Sequence, residues 1–168
     1  PGTSDEPLTV AQSLPDIDGM VIVTTPQQVA LLDSRKSITF SESLKVPVLG
    51  VVENMSGFTV NGTAAPGTEV NIAAPGGKTL SATADAEGHF SVVLDIFKEG
   101  GGKETAEEFG VPFLGALPFD PGFVRGGDDG VHRIVSEPDG ASAKAFASVV
   151  AAIQAQLSDG ADGGLEIV

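Results

Sequence analysis

The chain has 168 residues, 23 acidic and 9 basic side chains, and a formal net charge of −14. That charge argues against nucleic acid as a partner, since binding its phosphates needs clustered Lys and Arg, and no apolar run reaches the roughly 20 residues that span a bilayer. Without any Cys, disulfides, thiol catalysis and thiolate-held zinc or iron–sulfur centres are chemically ruled out for these residues.

Pro1 to Glu6 is turn-like, and Leu8 to Leu14 reads as a short helix with Ser4 or Asp5 as its N-cap. The first residues carry no basic segment followed by an apolar one, so no signal peptide is expected. The sequence opens on Pro1 in the middle of a pattern, which reads as a fragment or a processed product. Met20 to Thr25 is a continuous β-branched run and reads as a strand buried on both faces, hence parallel. Gln27 to Lys45 carries apolar residues at helical spacing but is weak over Ser37–Ser43, which predicts two short helices. Val46 to Val52 is a second buried strand, closing a strand–helix–strand unit.

From Gly57 to Asp95 the texture changes. Short alternating runs are separated by Asn61-Gly62, Pro66-Gly67, Pro75-Gly76-Gly77 and Asp85-Ala86-Glu87-Gly88, which predicts an antiparallel meander with a hairpin at each cluster. The first texture returns with a helix over Lys103–Phe109, closed by Gly110, and a third buried strand over Pro112–Leu117. Residues 122–134 read as loop-rich. Phe146, Val149, Val150, Ile153 and Leu157 mark the face of a last helix that ends at Ser158-Asp159-Gly160. The fold class is therefore α/β, a partial parallel sheet with helices plus a small antiparallel β insert. Residues 1–57 and 96–158 form the α/β part, 58–95 the insert and 159–168 an acidic tail.

Most motif-like features read as ordinary structure. Gly77-Lys78-Thr79 lacks the upstream Gly and the strand–helix context of a phosphate loop, so it reads as a turn. Gly100-Gly101-Gly102-Lys103 precedes a helix but has Glu104 where a Mg²⁺-binding hydroxyl belongs. It reads as a loop, with an anion at the helix N-terminus as the alternative. His89 and His132 lack metal-ligand spacing, and Asp128-Asp129 reads as a solvated loop. The strand ends carry more chemistry, because open α/β sheets bind ligands beyond the carboxyl ends of their strands. These ends are Thr24-Thr25-Pro26-Gln27, Glu53-Asn54-Met55-Ser56 and Pro118-Phe119-Asp120-Pro121. Asn54 both donates and accepts, which suits the edge of a purine, although capping and turn roles explain these strand-end residues almost as well.

Taken in order, Pro1-Gly2-Thr3-Ser4-Asp5-Glu6, Val21–Gln27, Ala30–Asp33, Val48–Ser56, Phe97–Lys103, Val111–Gly115 and Leu117–Pro121 resemble the C-terminal half of the Mrp/ApbC-type iron–sulfur cluster carrier ATPases. These are relatives of MinD with a deviant P-loop. The resemblance covers residues 1–58 and 96–157. It implies a P-loop-NTPase-type sheet that binds ATP and Mg²⁺, dimerises around nucleotide, serves iron–sulfur client proteins and works in the cytoplasm. It assigns Gly2 and Thr3 to the loop that senses the γ-phosphate, Asp5 to holding that loop, Asn54 to the adenine, and the turn from Pro118 to Asp120 to closing over the base. The family's phosphate-binding loop does not occur in these 168 residues, so the chain by itself is expected not to hydrolyse ATP and to need either its missing N-terminal half or a homodimer. Where the family has a Cys-x-x-Cys pair, this sequence has Phe58-Thr59-Val60-Asn61-Gly62. An iron–sulfur cofactor is therefore not supported. The insert in turn is similar to part of a bacterial Ig-like module. The alternative expectation is a non-catalytic α/β scaffold presenting a β-rich protein-interaction module.

Overall fold

The computed structural model describes residues 5–14 and 17–162, with side chains for 8–14 and 17–158. In chain order the elements are helix α1 (Asp5–Ser13), strand β1 (Met20–Thr24), helix α2 (Gln28–Ser43), and strands β2 (Val48–Glu53), β3 (Phe58–Thr63) and β4 (Glu69–Ala73). A short 3₁₀ turn at Pro75–Gly77 leads to β5 (Thr79–Thr83) and β6 (His89–Leu94). Then come α3 (Gly101–Phe109), β7 (Phe113–Ala116), α4 (Gly122–Asp129), α5 (Arg133–Ser136) and α6 (Ala141–Asp162).

The three apolar runs form one parallel sheet in the order β1-β2-β7. Continuous apolar strands need cover on both faces; β2 and β7 receive it, whereas Val23 of β1, expected to be buried, is left open. On one face Ile22 and Val51 pack with Ile38 of α2 and Ala106 of α3. On the other, Val52, Leu114 and Leu117 pack with Val149 of α6, flanked by Phe146 and Ile153. Of the face expected for the last helix, Phe146, Val149 and Ile153 thus cover the sheet, whereas Val150 and Leu157 are exposed. α6 reaches β2 and β7 but not the whole of β1, and Val23 remains 61% exposed.

Three expectations are corrected. The segment after β1 is one helix, α2, and not two. Its hydroxyls bond within the helix: Ser34 to the Ala30 carbonyl, Ser37 to Asp33 and Thr39 to Arg35. Buried Ser41 donates to the Val46 carbonyl, and fully buried Ile38 supplies the packing that propensity lacked. Residues 122–134 contain α4 and the start of α5 rather than loop alone, with Phe123 of α4 set against Phe146 of α6 at a centroid separation of 5.6 Å. The last helix runs on through Asp162, past the Ser158-Asp159-Gly160 stop. The rest of the expected tail, 163–168, lies outside the described residues.

The insert is not a simple meander. β3 pairs with β6, from Phe58 opposite Leu94 to Thr63 opposite His89, and the hairpin β4–β5 is nested between them. Asn61-Gly62, expected to turn, lies inside β3. A Cβ on Gly62 would stand 2.4 Å from the Phe90 ring, so this glycine is the seat of an aromatic side chain from the paired strand. Burial alternates along the insert strands, with Val70, Ile72, Leu80 and Phe90 half-buried and their neighbours exposed.

Candidate functional site

All three parallel strands end at one place. The Asn54 N–H donates to the Thr24 carbonyl at 2.7 Å, the Leu117 N–H to Glu53 at 2.7 Å, and the Ser56 N–H to Leu117 at 2.9 Å. The three polar strand-end loops therefore lie side by side, and the insert leaves the sheet from the middle one.

The most committed side chain here is Glu53, which the reading of the sequence missed. It is 1% exposed at the end of β2. Its Oε1 accepts from the Ser56 hydroxyl at 2.6 Å and from the Gly100 N–H at 3.1 Å, and its Oε2 accepts from the Gly102 N–H at 2.6 Å. A buried carboxylate requires such partners, and the start of a helix offers free N–H groups to an anion. The glycine run is needed for close approach: a Cβ on Gly102 would stand 2.9 Å from the Glu53 Cβ. The anion at the N-terminus of α3 is thus an internal one, which corrects the expectation of either a plain loop or an external anion at Gly100–Lys103. The signal for it was present in the sequence, as an acidic residue closing an otherwise apolar buried strand.

Glu53 also closes the root of the insert, since its carboxylate joins Ser56 on one side to Gly100 and Gly102 on the other. Phe119 does the same from β7. Its ring meets Phe58 and Phe97 edge-on, at centroid separations of 5.7 and 6.2 Å, and its N–H donates to the Gly57 carbonyl at 2.8 Å.

Asp120 holds the turn after β7. Its Oδ1 accepts from the Gly122 N–H at 2.8 Å, and its Oδ2 accepts from Ser142 at 2.8 Å and from Arg133 Nε at 3.1 Å. Burial pushes the carboxyl up, but the hydrogen bonds from Ser142, Gly122 and Arg133 together with the guanidinium charge outweigh it and hold the group below the usual carboxylate range. Arg133 also pairs with Glu137.

The strand-end residues face separate cavities. Asn54 lines a groove of about 590 Å³ along β1 and α2, with Thr24, Thr25 and Ser34. Its Oδ1 already accepts from the Met55 N–H at 2.9 Å, and Met55 takes φ +57, a left-handed backbone rare outside glycine. Pro118 and Asp120 line a second cavity of about 190 Å³, bounded by β3 and the start of α6. The structure thus brings Pro118 and Asp120 together and places Asn54 on the other cavity. Gly2 and Thr3 lie outside the described residues, and Asp5 opens α1, with no side chain described. Among the described residues no cluster of His, Asp and Glu could hold a metal ion. His89 is exposed, with Nδ1 3.9 Å from Asp85.

Comparison with known proteins decides the family. The model of the ParA family, described as NUBPL iron-transfer P-loop NTPase, matches residues 1–87 and 87–154. The chain belongs to this family. It is 38% identical over 135 residues to an iron-sulfur cluster carrier protein of Methanocaldococcus jannaschii, covering 80% of this chain and 37% of that one. It is 40% identical over 132 residues to a cytosolic Fe-S cluster assembly factor, a NUBP2 homolog, of Nematostella vectensis, covering 77% and 39%. It therefore spans less than two fifths of the length of these relatives. The cell division ATPase MinD of Pyrococcus furiosus superposes with a TM-score of 0.52 over 82% of this chain and 42% of its own, at 19% identity, which supports the P-loop NTPase fold alone. Among the described residues of this NUBPL-family chain, no helix is long and apolar enough to cross a membrane.

Proposed function

We propose that the chain is the base-side portion of an ATP-binding iron–sulfur cluster assembly NTPase that works in the cytoplasm with iron–sulfur client proteins. The observation that carries this reading is the convergence of three parallel strand ends, with Asn54 and the Pro118–Asp120 turn on their loops. Bound ATP would supply the phosphoanhydride. Pro118 and Asp120 would line the cavity that takes its base end, with Asn54 on the adjoining strand-end loop, while Gly2, Thr3 and Asp5 would take the phosphate end. The N-terminus of α3 does not serve the phosphates, because Glu53 already fills it. A Mg²⁺ ion would neutralise phosphate charge but has no ready cluster of ligands among the described residues. A cluster held on thiolates does not fit this chain, which has no Cys.

The open edge of β1 supports a site completed from outside. Among the described residues β1 pairs only with β2, and the groove beside it is lined by Met20 through Thr25, with Val23 exposed. An unpaired parallel edge of this kind accepts a further strand, either from the family's P-loop half or from a second copy. The test is equilibrium ATP–Mg²⁺ binding by the chain, alone and with the family's P-loop half supplied in trans. The chain alone should bind weakly and not hydrolyse ATP, and the added half should tighten binding at least tenfold. No gain on that addition overturns the reading and favours a scaffold that presents the insert.

A further inference from the structure

We propose that the insert forms one wall of the base pocket and that Thr59 and Asn61 read the edge of the base. This rests on the nucleotide reading above and adds a specificity element to it. The cavity beyond β7 is bounded by Pro118 and Pro121 on one side and by the first strand of the insert on another. Thr59 and Asn61 stand two residues apart on β3, hence on the same face, and both line the cavity. Neither side chain has a hydrogen-bond partner among the described residues. An amide and a hydroxyl left free on a cavity wall supply both donors and acceptors for a neutral ligand.

The other lining groups narrow the ligand class. Arg133 is paired with Asp120 and Glu137 and is not available to a phosphate. The cavity holds one cation against two carboxylates, so a phosphate would be repelled and an uncharged group admitted. The rings of Pro118, Phe119 and Pro121 offer flat apolar faces. At about 190 Å³ the space lies below the roughly 300 Å³ of a drug-sized site. It takes a single heterocycle, with sugar and phosphates left outside. A purine end of a nucleotide meets all three conditions: planar, uncharged, and lined with donors and acceptors.

The root of the insert makes this wall a fixed part of the site. Phe119, inside the cavity lining, is the ring that holds Phe58 and Phe97 at the two ends of the insert. The insert thus stands where it can contact a base, at a position where the family resemblance places a cysteine pair.

Adenosine, which lacks phosphates, isolates the base pocket. Saturation-transfer NMR on the 168-residue chain should show magnetisation entering the adenine protons, with intermolecular NOEs to the Asn61 side-chain amide. Asn61→Ala and Thr59→Val should each weaken adenosine binding about three- to tenfold, and Asn61→Ala should erase those NOEs while the backbone amide spectrum stays folded. Asn54→Ala should leave the Asn61 NOEs in place. If adenosine binds with equal affinity to both variants, or if ATP binds in the presence of the P-loop half while adenosine makes no contact with Asn61, the wall is wrong and the nucleotide reading survives. If neither adenosine nor ATP binds under any of these conditions, both fall together.

Discussion

The parallel sheet and the insert solve the same problem of burial in opposite ways. In the sheet, Ile22, Val51, Val52 and Leu114 lie within apolar layers on its two faces, between α2 and α3 on one side and α6 on the other. In the insert, burial alternates residue by residue, and only Ala84 and Val92 among its apolar side chains are fully buried. The sheet stands on its own covering helices, whereas the insert leans on the sheet through Phe119 and Glu53. The difference teaches that stability resides in the sheet and that the insert is positioned by its root.

The strongest test of that asymmetry is Glu53→Ala. It strands the Ser56 hydroxyl and the Gly100 and Gly102 N–H groups, and should destabilise by about 3–5 kcal/mol. Urea unfolding should show this loss, and amide exchange should show β3 and β6 losing protection as fast as β2. Protection of β3 and β6 that survives the loss of β2 would make the insert an independent unit.

Ile38→Ala should cost about 2–5 kcal/mol, because the side chain is fully buried in the layer under α2. It should lower exchange protection in the sheet and the insert alike. Val92→Ala should cost about 1–2 kcal/mol from lost apolar burial, with the effect confined to residues 58–94. If Val92→Ala also loosens β1 and β2, the dependence runs both ways.

Acid should act on the corner after β7. The Asp120 carboxyl sits lower in the folded chain than in the unfolded one. The unfolded chain therefore takes up that proton first as pH falls, so the stabilisation is present above about pH 4 and is lost as the pH drops through the folded value. Asp120→Asn should flatten this part of the pH–stability curve, read as urea midpoints between pH 5 and pH 2. A curve unchanged by the substitution would mean that the Ser142 and Arg133 contacts do not bias the proton. Smallest of all, Val135→Ser on exposed α5 should stay within about 0.5 kcal/mol. A larger loss there would show that this side chain is covered in solution.

Much of this organisation was legible in the residues themselves. Runs such as Met20–Thr24 and Val48–Val52 lack polar interruptions, and that pattern is stable only between two covering layers. The spacing of Phe146, Val149 and Ile153 specified the face of α6. The pairing of β3 with β6 was not legible, because Asn-Gly is a local turn signal and only the Phe90 ring packed on Gly62 overrides it. The single helix α2 escaped the reading for a similar reason: its serines are poor helix formers until Ile38 is buried.

By itself, then, the sequence determined the α/β class, the change of texture at residue 58, the strand-end loops and the family, because periodicity and ordered motifs are local properties of a chain. Only the tertiary structure decided that Glu53 fills the start of α3, that Asp120 ties a corner, and that Asn54 and Pro118 face different cavities. Those are contacts between residues up to about fifty positions apart, and a hydrogen bond across that distance exists only once packing has brought its two ends together.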